Sequence, residues 1–215
     1  MKTVSFQTKD GVKIIGDFFD ARSKKSVILL HILPGNRQDF DKFAELLWQN
    51  SYNVLNIDER GHGESEAWAG EMGSWQEFTQ IDYDKMIYDV EAADQWLKVR
   101  IPDTELAVIG GSIGANLSLL YGAKTQPKII VALSPGLNYK GIKTEIASRN
   151  FRKNLFLVAS HDDNYSFESC ERLFEVSAAA KKEFIRYKDA GHGTRMFNSE
   201  PELKQKILDF LSKNF

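Results

Sequence analysis

Five short apolar runs punctuate the chain: Val27–Ile32, Asn53–Ile57, Leu106–Ile109, Lys128–Leu133 and Leu155–Ala159. Each is nearly continuous rather than alternating, which suits strands covered on both faces in a parallel sheet. A further strand-like run, Glu183–Tyr187, comes late. Two segments at the start, Val4–Thr8 and Lys13–Phe19, flank Lys9-Asp10-Gly11. That Asp-Gly pair predicts a hairpin turn, because glycine supplies the positive φ such turns need. Helical patterns fill the gaps between the buried runs. Phe40, Phe43, Ala44, Leu47 and Trp48 recur at helical spacing, as do Tyr83, Met86, Ile87, Val90, Ala93 and Leu97. Ala115–Tyr121 continues the helical pattern, Ser166 is placed to cap a helix reaching about Ala180, and a short helix is expected over Tyr139–Ser148. Ser199 with Glu202 reads as a capping box for a last helix carrying Leu203, Ile207, Leu208 and Leu211 on one face. Strand alternating with helix predicts a mostly parallel, doubly wound α/β sheet, with the opening hairpin adding antiparallel strands at one edge.

The 215 residues carry no repeat, low-complexity tract or evident linker, so a single domain over 1–215 is expected. Lys plus Arg is 28 against 30 Asp plus Glu, a balance that gives no reason to expect nucleic acid as a partner. One cysteine, Cys170, excludes an internal disulfide framework and most thiolate metal sites, and it reads as a small buried hydrophobe. No apolar stretch suits a signal peptide or a membrane span. A soluble cytoplasmic protein is the expectation.

The sharpest chemical signal is Gly110-Gly111-Ser112-Ile113-Gly114, which matches G-x-S-x-G between an apolar strand and an apolar helical run. A nucleophile elbow is such a strand-to-helix turn; it strains the serine backbone and exposes Oγ above the sheet. Gly110 and Gly114 are expected because side chains there would strike the neighbouring helix and strand. A serine needs a base, since its hydroxyl is almost wholly protonated at neutral pH. Of His31, His62, His161 and His192, the base is the last, His192 in Asp189-Ala190-Gly191-His192-Gly193-Thr194, if the chain order is serine, acid, histidine. His31 and His62 read as buried or loop-bound residues, and His161 as no metal ligand. Asp162 and Asp163, at the end of Leu155–Ala159, are both candidates for the acid that orients the base. The backbone N–H groups of Ile113 and Leu33 are the expected oxyanion donors; Pro34 has none to give.

Taken in order, His31-Ile32-Leu33-Pro34-Gly35, Asp58-Glu59-Arg60-Gly61-His62-Gly63-Glu64-Ser65, Gly110-Gly111-Ser112-Ile113-Gly114 and Gly191-His192-Gly193 resemble the motifs of the α/β-hydrolase superfamily, particularly its small bacterial esterase-like members. The resemblance spans nearly the whole chain. It implies Ser112 as nucleophile, His192 as base, an aspartate after the penultimate strand, and a mechanism free of metal and cofactor. The family's G-x-x-D pattern, laid on Ser160-His161-Asp162-Asp163, selects Asp163. In one departure Ile32 stands where many members have glycine, adding bulk at the oxyanion turn. Only 21 residues separate Leu133 from Leu155, too few for a cap domain. In the 66–80 segment, Trp68, Met72, Trp75 and Phe78 either line an acyl pocket or cover the core edge. The expected activity is that of a carboxylesterase on small soluble esters. Thioester or amide cleavage, or a non-catalytic binding protein of the same fold, are the alternatives.

Overall fold

The computed structural model describes residues 1–66 and 73–215. Eight strands form one sheet: β1 (Lys2–Gln7), β2 (Lys13–Phe19), β3 (Lys25–Leu30), β4 (Asn53–Asp58), β5 (Glu105–Gly111), β6 (Ile129–Leu133), β7 (Asn154–Ser160) and β8 (Lys181–Tyr187). Their spatial order is β1-β2-β4-β3-β5-β6-β7-β8. The β1–β2 and β2–β4 pairs are antiparallel and every other pair is parallel. The expected hairpin therefore does sit at one edge, closed by Gly11 N–H donating to the Thr8 carbonyl at 2.9 Å.

Helices α1 (Asp41–Gln49), α7 (Met196–Ser199) and α8 (Leu203–Asn214) cover one face. The other face carries α2 (Gln80–Lys85), α3 (Ile87–Arg100), α4 (Ile113–Thr125), α5 (Glu145–Asn150) and α6 (Asn164–Val176). Alternation along β3 feeds both cores: Ile28 and Leu30 join the cluster with Val90 and Leu117, while Val27 and Leu29 join the one with Phe43 and Leu208. Continuous apolar runs are needed because both faces are dry. Among the described residues no helix is long and apolar enough to cross a membrane.

Four local expectations need correction. The helix expected over Tyr83–Leu97 is two helices, α2 and α3, joined at Met86. Tyr83, Met86 and Val90 face one core across that joint, so the apolar period runs through it unbroken. Ser199 does not cap the last helix; it ends α7, Pro201 intervenes, and Glu202 takes the cap position with no side-chain bond. Ser166 lies inside α6, which starts at Asn164 and stops at Val176, well short of Ala180. The segment expected as a helix over Tyr139–Ser148 begins as a small hairpin pairing Asn138 with Lys143 and Tyr139 with Ile142, and only then becomes α5. Lys140 and Gly141 both take positive φ, 51° and 83°, the conformation of a tight two-residue turn.

Candidate active site

Strand β5 delivers Ser112 to the edge of the sheet with φ 52° and ψ −116°, a strained left-handed conformation between strand and helix. Two close approaches force this turn. A Cβ on Gly110 would lie 2.1 Å from the Gly114 carbonyl oxygen, and one on Gly114 would lie 2.5 Å from that of Leu30. Both glycines are thus required by backbone contact, as the sequence implied. Ile113 opens α4, and the first N–H groups of a helix have no partner within it. The elbow is less open than expected: Ser112 keeps only 6% exposure. The loop after β8 crowds it, since a Cβ on Gly193 would sit 3.8 Å from the Ser112 nitrogen.

That loop carries His192, whose Nδ1 lies 2.6 Å from Oδ2 of Asp163, just past the end of β7. The imidazole is 29% exposed and the carboxylate 19%. Burial raises the Asp163 pKa, but hydrogen bonds from His192, Ser166 and Ser134 outweigh it and hold the carboxyl below its ordinary range. The two adjacent aspartates divide their work. Asp162 is exposed and accepts the Gly191 N–H at 3.1 Å, fixing the loop rather than the ring. Ser112, Asp163 and His192 are therefore all gathered at the carboxyl ends of parallel strands, where ligands of open α/β sheets bind.

Sequence reasoning missed the supports of His192. Ser134, at φ 52°, accepts the Gly193 N–H at 2.9 Å while its own N–H donates to the Val158 carbonyl at 2.8 Å. Tyr139 sets its ring edge-on to His192 at 6.2 Å and shares a 2.7 Å hydrogen bond with Ser166. Asn116 ties the Tyr139 hairpin to α4, donating to the Ile142 carbonyl at 2.8 Å and accepting the Gly136 N–H at 2.9 Å. The Pro-Gly pair at 135–136 is a turn signal in the sequence, but it names none of these partners.

The remaining histidines have other partners. His161 stacks on Phe167 at 3.7 Å. His62 lies beneath Trp75, rings parallel at 5.8 Å, and Phe78 packs edge-on against it at 6.4 Å. Trp75 and Phe78 thus cover the Gly61-His62 turn; Trp68 and Met72 lie outside the described residues. The His31–Gly35 turn after β3, expected to supply an oxyanion donor, holds the half-buried Leu33. A cavity of about 450 Å³ adjoins this turn, lined by Ile32, Asp39, Asp41, Lys42, Thr194 and Arg195 among others. A separate groove of about 690 Å³, between β1 and helices α3 and α4, touches none of these residues.

Strand order, elbow and the His192 loop together define an α/β-hydrolase. Residues 21–151 match the Hydrolase_4 family model, described as serine aminopeptidase, S33, and the chain belongs to that family. The matched region includes Ser112 and Leu33; Asp163 and His192 lie beyond it. No curated protein matches the chain. Among solved structures, the Pyrococcus furiosus esterase Pf2001 is 25% identical, with a TM-score of 0.83 over 99% of this chain and 91% of that one. An acetyl xylan esterase from Paenibacillus sp. R4 is 17% identical, with a TM-score of 0.80 over 99% of this chain and 83% of the other. Dienelactone hydrolase from Anabaena variabilis is 18% identical, with a TM-score of 0.78 over 100% and 95%. The last two show the shared fold alone.

Proposed function

We propose that the protein is a carboxylesterase for small soluble esters, working through an acyl-enzyme on Ser112. The observation that carries this reading is the 2.6 Å contact between His192 Nδ1 and Asp163, on the same sheet edge as the strained serine. A carboxylate has no proton at neutral pH, so Nδ1 must donate, which leaves Nε2 free to accept. His192 then takes the Ser112 hydroxyl proton as Oγ attacks the ester carbonyl carbon. The oxyanion rests on the N–H groups of Ile113 and Leu33. Collapse breaks the bond to the alkoxy oxygen, which leaves as the alcohol carrying the proton from His192. Water repeats the sequence on the acyl-enzyme and frees the acid. Losing one oxyanion donor in such a site costs about 10²–10³ in turnover.

The family's aminopeptidase description favours a second reading, amide cleavage beside a free α-ammonium. The cavity at the oxyanion turn argues for the ester. It sets Lys42, Arg195 and Lys204 against Asp39 and Asp41, so the lining offers no excess of negative charge to a free ammonium. A panel of p-nitrophenyl esters, acyl thioesters and aminoacyl anilides, with fluorophosphonate labelling, tests the proposal. Stoichiometric labelling at Ser112 and preference for esters is expected. Preference for aminoacyl anilides would shift the assignment to the peptidase reading, and wild-type turnover by Ser112→Ala would overturn the serine mechanism altogether.

A further inference from the structure

Beneath the turn after β3 lies a buried polar pair that the reaction does not itself use. His31 and Glu59 are both 0% exposed, and His31 Nε2 lies 2.5 Å from Glu59 Oε2. The other ring nitrogen, Nδ1, lies 2.8 Å from the carbonyl oxygen of Ile32. A carbonyl cannot donate, so Nδ1 carries a proton. Nε2 is held from the other side by Glu59, whose backbone N–H donates to it at 3.1 Å and whose Oε2 lies against it. His31 therefore bridges Glu59 and a backbone carbonyl, with Nδ1 donating to the latter. Burial lowers the His31 pKa, but the charge and hydrogen bond of Glu59, aided by Ile32 and Asp58, outweigh it and leave it raised. Its neighbour His62, with ring centroid 4.7 Å away, is pushed down to about 3 by burial and by the charge on His31, and stays neutral.

The carbonyl of Ile32 and the N–H of Leu33 are two ends of one peptide unit. In a planar trans peptide they point in opposite directions. Whatever pins the oxygen also aims the hydrogen. We propose that His31 and Glu59 are positioning residues for the oxyanion turn: they clamp the Ile32–Leu33 peptide so that its N–H faces the substrate oxygen. The inference rests on Leu33 acting as an oxyanion donor, as proposed above. Donation to the carbonyl also polarises the peptide and strengthens its N–H as a donor. Stability is a poor explanation for the pair, since apolar residues of similar volume often replace a buried ion pair at no loss. Among the described residues Glu59 Oε1 also has no hydrogen-bond partner, which packing alone does not explain.

The test compares His31→Leu, His31→Asn and Glu59→Gln with the wild type and with Ser112→Ala. Asparagine keeps an N–H donor near the place of Nδ1 but cannot reach Glu59. His31→Leu is expected to lower kcat on p-nitrophenyl butyrate about 10²-fold, the loss of one oxyanion donor, with KM changed less than about threefold. Affinity for a trifluoromethyl ketone, which forms a tetrahedral oxyanion on the serine, falls in parallel. His31→Asn recovers at least tenfold of the loss, and Glu59→Gln falls between. A merely structural role would leave asparagine no better than leucine, with kcat following the folded fraction, and that result overturns the proposal. So does a folded His31→Leu protein with wild-type kcat while Ser112→Ala is dead. If instead Ser112→Ala stays active, the reading beneath the proposal fails. Should the variants not fold, ¹⁵N spectra of the wild-type protein at pH 8 decide: an unprotonated His31 Nδ1 overturns the clamp, and a hydrogen-bonded proton on it sustains it.

Discussion

Exchanging the carboxylate of Asp163 for an amide tests the division of labour between two adjacent aspartates. In Asp163→Asn the amide turns either its oxygen or its NH₂ toward His192 Nδ1, 2.6 Å away in the wild type. The Ser134 and Ser166 hydroxyls near the carboxylate, which help to lower its pKa, compete for the oxygen. When the NH₂ faces the ring, Nδ1 becomes the acceptor and the proton moves to Nε2, the atom that must take the serine proton. Ser166 lies 3.4 Å from Nδ1, too far to hold the ring alone. A wrong tautomer in a triad costs about 10⁴ in kcat, or about 5 kcal/mol of transition-state stabilisation. Asp162→Asn removes a charge but keeps an oxygen for the Gly191 N–H, so its loss should stay within about tenfold, the range of a single weak polar contact. The assay is steady-state hydrolysis of p-nitrophenyl acetate between pH 6 and 10, with near-ultraviolet circular dichroism to check the fold. Asp163→Asn should recover part of its rate at high pH, where hydroxide replaces the base. A folded Asp163→Asn within tenfold of wild type, or a crippled Asp162→Asn beside it, would refute the assignment.

Three further outcomes follow from other parts of the structure. Gly114→Ala drives a Cβ to 2.5 Å and 2.6 Å from the backbone oxygens of Leu30 and His31, so thermal unfolding should show a loss of about 1–3 kcal/mol or more, and an unchanged Tm would contradict the close approach. Asp10 has its pKa lowered to about 2: burial raises it, but the Arg60 and Thr8 hydrogen bonds prevail. Its stabilisation is therefore present above the ordinary carboxylate range and is lost as pH falls toward about 2, so the Tm gap between wild type and Asp10→Asn should close on acidification; a constant gap would remove the linkage. Between β6 and β7 the chain builds only the Asn138–Lys143 hairpin and α5, which shelters little of a long acyl chain. Rates over C2 to C16 esters should peak at short chains, because each CH₂ adds about 0.8 kcal/mol only when buried, and a maximum at C12 or beyond would refute it.

The fold was legible because its signals are local and strong. The five continuous apolar runs became five central strands, and the Asp-Gly turn became the edge hairpin, each to within two or three residues. The elbow was legible for the same reason, since it needs glycines at fixed offsets, and the late glycine-flanked His192 marked the loop that the structure sets beside it. What escaped were features fixed by tertiary hydrogen bonds. Ser166 looked like a cap, yet its hydroxyl is engaged by Tyr139 from a hairpin 27 residues away. Met86 interrupts a helix without disturbing its apolar period. Ser134 holds the His192 loop from a strand end 59 residues upstream of Gly193. Nothing in the local sequence of any of these announces its partner.

The isoleucine at the oxyanion turn shows how a departure from a motif is absorbed. Read alone, Ile32 in place of glycine adds a branched side chain where close approach is needed. In the fold, its Cγ2 lies 2.7 Å from the point a Cβ on Gly111 would occupy, and 2.7 Å from that of Gly193. The space the side chain takes is the space those two glycines leave empty. Gly111 stands at a variable position of G-x-S-x-G, and Gly193 follows the histidine, so no single motif demands either. Their small size is demanded by Ile32, across three segments that meet only in the folded chain. Bulk at the turn is therefore packed against the elbow and the histidine loop, wedging the three segments into one unit. The proposed His31–Glu59 clamp would hold the Ile32 carbonyl from the other side of that wedge.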